Sequence, residues 1–124
     1  MSGNWLHEVF EAVVPSGPGI TRRRMFGFHC AFLSGNLFCG HSQQTFMLRL
    51  SETDRVGLLA LPGSALFEPK AGFVMREYVV PAPELLEDLD RLRSWVNKSL
   101  SYAASLAPKP RKTRQTTRRP RRVA

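Results

Sequence analysis

Between residues 25 and 50 the chain keeps a two-residue rhythm. Phe26, Phe28, Cys30 and Phe32 fall on alternate positions, and Phe46, Leu48 and Leu50 do so again after a break. This is the spacing of strands that turn one face to a core. Ser34-Gly35-Asn36 and His41-Ser42-Gln43-Gln44 interrupt the rhythm, the first because Gly and Asn tolerate positive φ. The pattern predicts three strands joined by hairpins, antiparallel because such short links allow nothing else. With Gly35 and Asn36 as a two-residue turn, Phe32 faces Cys39 and Cys30 faces His41, a register that a three-residue loop would shift. Met47 and Arg49 are expected to point away from the core.

A 3.6-residue period flanks these strands. Trp5, Val9, Ala12 and Val13 form a stripe over residues 4–14, with Glu8 and Glu11 on the other side, as in an amphipathic helix. Pro15-Ser16-Gly17-Pro18-Gly19 ends it. That turn is not a phosphate loop, since it lacks the Gly-Lys-Ser/Thr ending and no strand precedes it. Ser51 as N-cap, with Glu52 and Asp54 behind it, opens a second helix. Its expected apolar stripe is Val56, Leu59 and Ala60, and Pro62-Gly63 stops it. Residues 64–72 read as loop with a short extended piece at Ala65–Phe67, and Phe73–Val80 as a strand. Leu85, Leu89, Leu92, Val96, Leu100 and Ala103 step by three and four, predicting one helix over 84–106. The resulting order implies a two-layer α+β domain over residues 1–106, an antiparallel β-sheet with helices packed on one face.

Charge changes the picture at the end of the chain. The formal net charge is +8. Lys109, Arg111, Lys112, Arg114, Arg118, Arg119, Arg121 and Arg122 supply all of it, because residues 107–124 hold no acid and the other ten Lys/Arg face ten Asp/Glu. Residues 107–124 have no apolar periodicity with which to bury surface, so a disordered basic tail is expected. Such cation density gives salt-dependent, sequence-independent affinity for nucleic acid. Thr113, Thr116 and Thr117 add phosphate hydrogen bonds. The tail has no aromatic residue to stack on bases, so no sequence reading is expected. Arg22, Arg23 and Arg24 either extend this footprint or form a solvated loop. No apolar run approaches the ~18 residues of a membrane span. Acids stand where a signal peptide carries basic residues, and two cysteines are too few for a disulfide scaffold. A cytoplasmic protein is expected.

Candidate chemistry adds little. In the expected register Cys30, Cys39 and His41 share a face and His29 points away, which leaves at most three metal ligands among crowding phenylalanines and no Cys-x-x-Cys spacing. No metal and no cofactor are therefore expected. A thiol on an apolar face has a raised pKa, and the usual convergent set of acid, base and nucleophile is missing, so no enzyme and no catalytic residue are expected. Glu84, Glu87, Asp88 and Asp90 suit the start of a helix. Arg49, a lone cation in an apolar strand, either binds an anion or forms a structural ion pair with a carboxylate such as Glu77.

Arg24-Met25-Phe26-Gly27, Gly35-Asn36-Leu37 with Gly40, and Leu48-Arg49-Leu50 resemble the N-terminal domain of the TfoX/Sxy proteins. Phe67-Glu68-Pro69, Met75-Arg76-Glu77-Tyr78-Val79, Trp95-Val96 and the close from Tyr102 to Lys109 extend the resemblance over about residues 4–109. One difference is Phe28, where many relatives continue with a second glycine. The resemblance implies a compact α+β domain in a bacterial protein and supplies no catalytic residues. Full-length TfoX/Sxy regulators of natural competence, coactivators with the cyclic-AMP receptor protein, carry a second helical domain, whereas this chain has the basic tail. The expected function is that of a non-enzymatic accessory or regulatory protein, with DNA contacted through the tail and a protein partner through the domain. The alternatives are a protein-interaction module, homodimer included, with no nucleic-acid role, or a small-ligand binder or enzyme using Cys30, Cys39, His41 or Arg49.

Overall fold

The computed structural model describes residues 4–108. In chain order these form α1 (Asn4–Val13), β1 (Ile20–Met25), β2 (Phe28–Leu33), β3 (Asn36–His41), β4 (Phe46–Arg49), α2 (Glu52–Leu59), β5 (Ala65–Lys70), β6 (Phe73–Val80), α3 (Pro83–Leu86) and α4 (Leu89–Ser105). The strands make one six-stranded sheet in the order β1-β2-β3-β4-β6-β5, antiparallel at every pairing. The expected α+β architecture is therefore present, with more strands than the period-two pattern predicts.

The additional strand arises at Phe26. Instead of continuing the alternation, Phe26 and Gly27 adopt φ of 52° and 81°, and Met25 pairs with Phe28 across them. Two successive left-handed residues are the mark of a type I′ hairpin turn, whose twist matches that of the strands. Phe26 is consequently 94% exposed. The next turn has the same form one residue earlier than expected: Ser34 and Gly35 occupy it with φ of 49° and 84°, and Leu33 pairs with Asn36.

A bulge then resets the register. Phe32 pairs with Leu37 but Ala31 with Cys39, leaving Phe38 as the extra residue of β3. Phe38 and Cys39 both enter the helix-side core. Beyond the bulge Cys30 opposes Gly40, and it is His29 that opposes His41. The expected Cys30–His41 and Phe32–Cys39 pairs do not form.

The main core lies between the helices and one sheet face. It holds Ala31, Phe38, Cys39, Phe46, Leu48 and Val79 from the strands against Leu6, Phe10, Leu92, Val96 and Ala103 from α1 and α4. The buried stripe of α1 is Leu6, Val9, Phe10 and Val13, rotated from the expected one, and Trp5 is 38% exposed. In α2 the buried residue is Leu58, while Val56 stands out at 66% exposure. The expected helix over 84–106 is interrupted at Glu87-Asp88. Asp88 leaves helical geometry (φ −121°, ψ 87°) to cap α4, accepting from the Arg91 N–H at 3.3 Å, so one orphan donor of the helix start is satisfied. Residues 65–70, expected to be mainly loop, pair with β6 as an edge strand, the place where Pro69 costs no ladder hydrogen bond.

The other face carries a second cluster: Met47, Phe67 and Tyr78, with Phe28, Leu37, Met75 and Val80 against them. Phe28 in β2 meets Phe67 in β5 at 5.7 Å between ring centroids. Four strand spacings of ~4.8 Å would separate them by about 19 Å in a flat sheet. The sheet is therefore curled, and its concave side is filled by side chains that the alternation of Phe28, Cys30 and Phe32 assigned to the helix side. Gly40 sits in this hollow, where a Cβ would come within 2.8 Å of Met47 Cε and 3.2 Å of the His29 carbonyl oxygen.

Helix α4 is fastened to the sheet by one hydroxyl. Ser99 is fully buried, with Oγ 2.5 Å from the Phe38 carbonyl oxygen and 2.6 Å from that of Arg49. A hydroxyl donates only one proton, so it serves either carbonyl in turn. Ser99→Ala is expected to cost about 1–3 kcal/mol, the penalty of leaving buried acceptors without a donor. Urea unfolding of both proteins measures this, and an unchanged midpoint would contradict it. Among the described residues no helix is long and apolar enough to cross a membrane.

Candidate functional site

The β2–β3 bulge has a consequence at the far end of the hairpin. It pairs His29 with His41, and their rings stack with centroids 5.0 Å apart and planes 12° from parallel. Helix α1 lies over the same face and brings His7 to both, at ring-centroid distances of 4.4 Å from His29 and 5.2 Å from His41. One ring nitrogen from each of the three falls within 4.8 Å of the others. These are all the histidines of the chain. They open into a polar cleft whose rim includes Arg24, Phe26 and the β3–β4 turn Ser42-Gln43-Gln44.

Hydrogen bonds orient two of the rings. His41 Nδ1 lies 2.7 Å from the Ser42 carbonyl oxygen and must donate to it, which leaves Nε2 as an acceptor. His7 Nδ1 is 3.0 Å from that Nε2 and so donates. The other nitrogen of His7 faces Glu11, 3.8 Å from its carboxylate. His41 is buried against the Phe10 ring, 4.9 Å away. Burial pushes the His41 pKa down, and the neighbouring His29 and His7 add to this while the Ser42 hydrogen bond and Glu11 oppose it. His29 is also lowered, first by burial, then by His7 and Arg24, with Glu11 opposing.

These directions have a sign in stability. Both groups bind a proton less readily folded than unfolded, so the unfolded chain carries more protons below about pH 6.5. In chelator-containing buffer the unfolding midpoint is expected to hold above that pH, to fall as pH drops from about 6.5 toward the lowered values, and to level off for these groups below them. His29→Gln should flatten this fall, and an equally steep profile in the variant would contradict the assignment.

The cysteines do not join the site. Cys39 lies in the helix-side core, and Cys30 is buried on the concave side opposite Gly40. Burial raises both thiol pKa values, and both cysteines are free thiols. The set Cys30, Cys39 and His41 expected on one face is thus split across the sheet by the bulge, and His29, expected to point away, takes their place beside His41. His7 was invisible as a partner. Its position in α1 carries no motif, and only the docking of the helix brings it to the strands.

Arg49 is enclosed by intramolecular partners. Its Nε donates to Glu77 at 2.8 Å, and the guanidinium lies 5.7 Å from the ring centroids of both Tyr78 and Tyr102. This is the geometry of a structural ion pair with aromatic walls. Three of the acids expected at the start of one last helix are also engaged, Glu84 of α3 and the α4 cap Asp88 near Arg91, and Asp90 near Arg93. The β1 arginines form an edge strand rather than a loop. Arg22 reaches Glu11 and the Val14 carbonyl, and Arg23 covers the Phe32 ring. The nucleic-acid candidates Lys109, Arg111, Lys112, Arg114, Arg118, Arg119, Arg121 and Arg122 lie outside the described residues. The chain leading to them is held at Ala107, whose carbonyl accepts from Asn36 Nδ2 at 3.0 Å.

A curled six-stranded antiparallel sheet with helices on one face defines this as an α+β domain protein. The family model of the TfoX N-terminal domain matches residues 12–103, and the chain belongs to that family. Comparison with curated proteins gives no match.

Proposed function

We propose that this TfoX-domain protein works without catalysis, as an accessory or regulatory factor that touches nucleic acid through residues 107–124 and a protein partner through its folded part. One observation carries the reading: eight cations and no acid lie after residue 106, while the rest of the chain balances ten Lys/Arg against ten Asp/Glu. A neutral domain with a polycationic extension attracts phosphates to the extension alone. The regulatory half rests on the TfoX resemblance. Among the described residues, the buried thiols with raised pKa values and the arginine-paired acids support a non-catalytic role, since activated nucleophiles need the opposite environment.

The alternative of a protein-interaction module draws on exposed apolar residues, Phe73 and Val74 on β6 and Phe26 at its turn. Fluorescence anisotropy with a random DNA duplex separates the two readings. The comparison is the full chain against a variant with all eight tail cations replaced by glutamine, at two salt concentrations. Equal affinities for the two proteins would rule out the nucleic-acid role of the tail.

A further inference from the structure

We propose that His7, His29 and His41 form a binding site for one first-row divalent transition-metal ion, of which Zn²⁺ is the representative. Three features carry this. The three nitrogens converge within 4.8 Å, although the residues come from α1, β2 and β3, and no other histidine exists in the chain. The 3.0 Å separation of His7 Nδ1 and His41 Nε2 is close to the ~3.3 Å that two nitrogens take when each is ~2.0–2.1 Å from a tetrahedral ion, so this pair opens only slightly, while the remaining separations, which reach up to 4.8 Å, close by a ring movement of His29. The ring atoms facing away from the centre are also placed as metal sites place them. His41 Nδ1 donates to the Ser42 carbonyl at 2.7 Å, and His7 Nε2 faces the Glu11 carboxylate at 3.8 Å. Metal-bound histidines almost always direct the second N–H at a carbonyl or carboxylate, which fixes the tautomer and raises ligand basicity.

The proton accounting is simple. Without metal, the His7 Nδ1 proton sits between His7 and His41. Binding requires His7 to carry its proton on Nε2 instead, toward Glu11, which frees Nδ1 as a donor atom. Both rings are then neutral ligands, and no net proton is released from a neutral cluster. The charged groups around it are Glu11, which favours a cation while also pairing with Arg22 at 3.4 Å, and Arg24 on the rim of the cleft, which opposes a cation and favours an anion or water in the open fourth position. Three neutral imidazoles without thiolate select Zn²⁺, Co²⁺, Ni²⁺ or Cu²⁺ over Mg²⁺ and Ca²⁺, which prefer oxygen.

The test uses untagged, chelator-stripped full-length protein titrated with Co²⁺ and then displaced with Zn²⁺, read by visible absorption and calorimetry. Expected are one equivalent per chain, d–d bands of a low-coordinate nitrogen–oxygen site with no thiolate charge-transfer band, and displacement by Zn²⁺. His7→Gln and His29→Gln, both at positions that are not fully buried, should each weaken binding by more than about tenfold, a loss that even outer-shell changes reach. Circular dichroism confirms that each variant is folded, and binding is compared only between folded proteins, the two substitutions serving as replacements for one another. Absence of stoichiometric binding by the wild type, binding unchanged in the folded variants, or a thiolate band that places the ion on Cys30 or Cys39 would overturn the proposal.

Discussion

The wild-type chain is expected to bind a random DNA duplex with steep salt dependence, and the variant with eight glutamines in residues 107–124 to lose at least about a thousandfold in affinity at low salt. The magnitude follows from counterion release. Each phosphate neutralised contributes about −0.9 to the slope of log affinity against log salt. Eight cations, at Lys109, Arg111, Lys112, Arg114, Arg118, Arg119, Arg121 and Arg122, therefore set a slope of about −7 when all are engaged. Raising salt from 50 to 200 mM then weakens binding by about four orders of magnitude. The neutral remainder of the chain cannot replace this attraction. Within β1, Arg22 is committed to Glu11 and the Val14 carbonyl. Affinity is also expected to be the same for duplexes of different sequence, because phosphate contacts carry no base information. A shallow slope in the wild type, or a marked preference for one sequence, would contradict the mechanism.

Phe38→Ala is expected to cost about 3–5 kcal/mol of folding stability, the range for truncating a buried aromatic residue. Phe38 has no exposed surface and lies in the core under α4 because the bulge turns it there together with Cys39. Its carbonyl oxygen is also one of the two held by Ser99. A domain of this size has about 5–15 kcal/mol in total, so the variant should unfold at a much lower urea concentration. Leu37→Ala, at the half-buried neighbour on the concave side, should cost clearly less. The ratio reports that position 38 faces the helices and position 37 the concave side. Equal losses at 37 and 38 would contradict this assignment of faces.

Local signals in the chain were legible where local physics decides. The Ser51 cap, the Pro62-Gly63 stop and the period of α4 from Leu92 to Ala103 correspond to structure, because caps, breakers and helical stripes act over a few residues. Arg49 and Glu77, 28 positions apart, are adjacent because Arg49 lies beside Tyr78 in the β4–β6 register. The alternation at Phe28, Cys30 and Phe32 was real, but it does not say which face of the sheet is which. A sheet with apolar residues on both sides gives the same rhythm for either, and the curl that creates the second core is a property of six strands together. The break at Glu87-Asp88 was hidden because Leu85 and Leu89 keep helical spacing across it.

By itself, then, the sequence determined the family, the antiparallel α+β architecture and the placing of the whole net charge in residues 107–124, since these follow from short-range patterning and from counting charge. The tertiary structure alone decided the histidine cluster. One extra residue at Phe38 shifts His29 opposite His41, and the packing of Leu6, Phe10 and Val13 on the sheet brings His7 over them. A one-residue change of register exchanges the two faces of a strand, and no pattern within β3 records whether that residue is bulged out or paired.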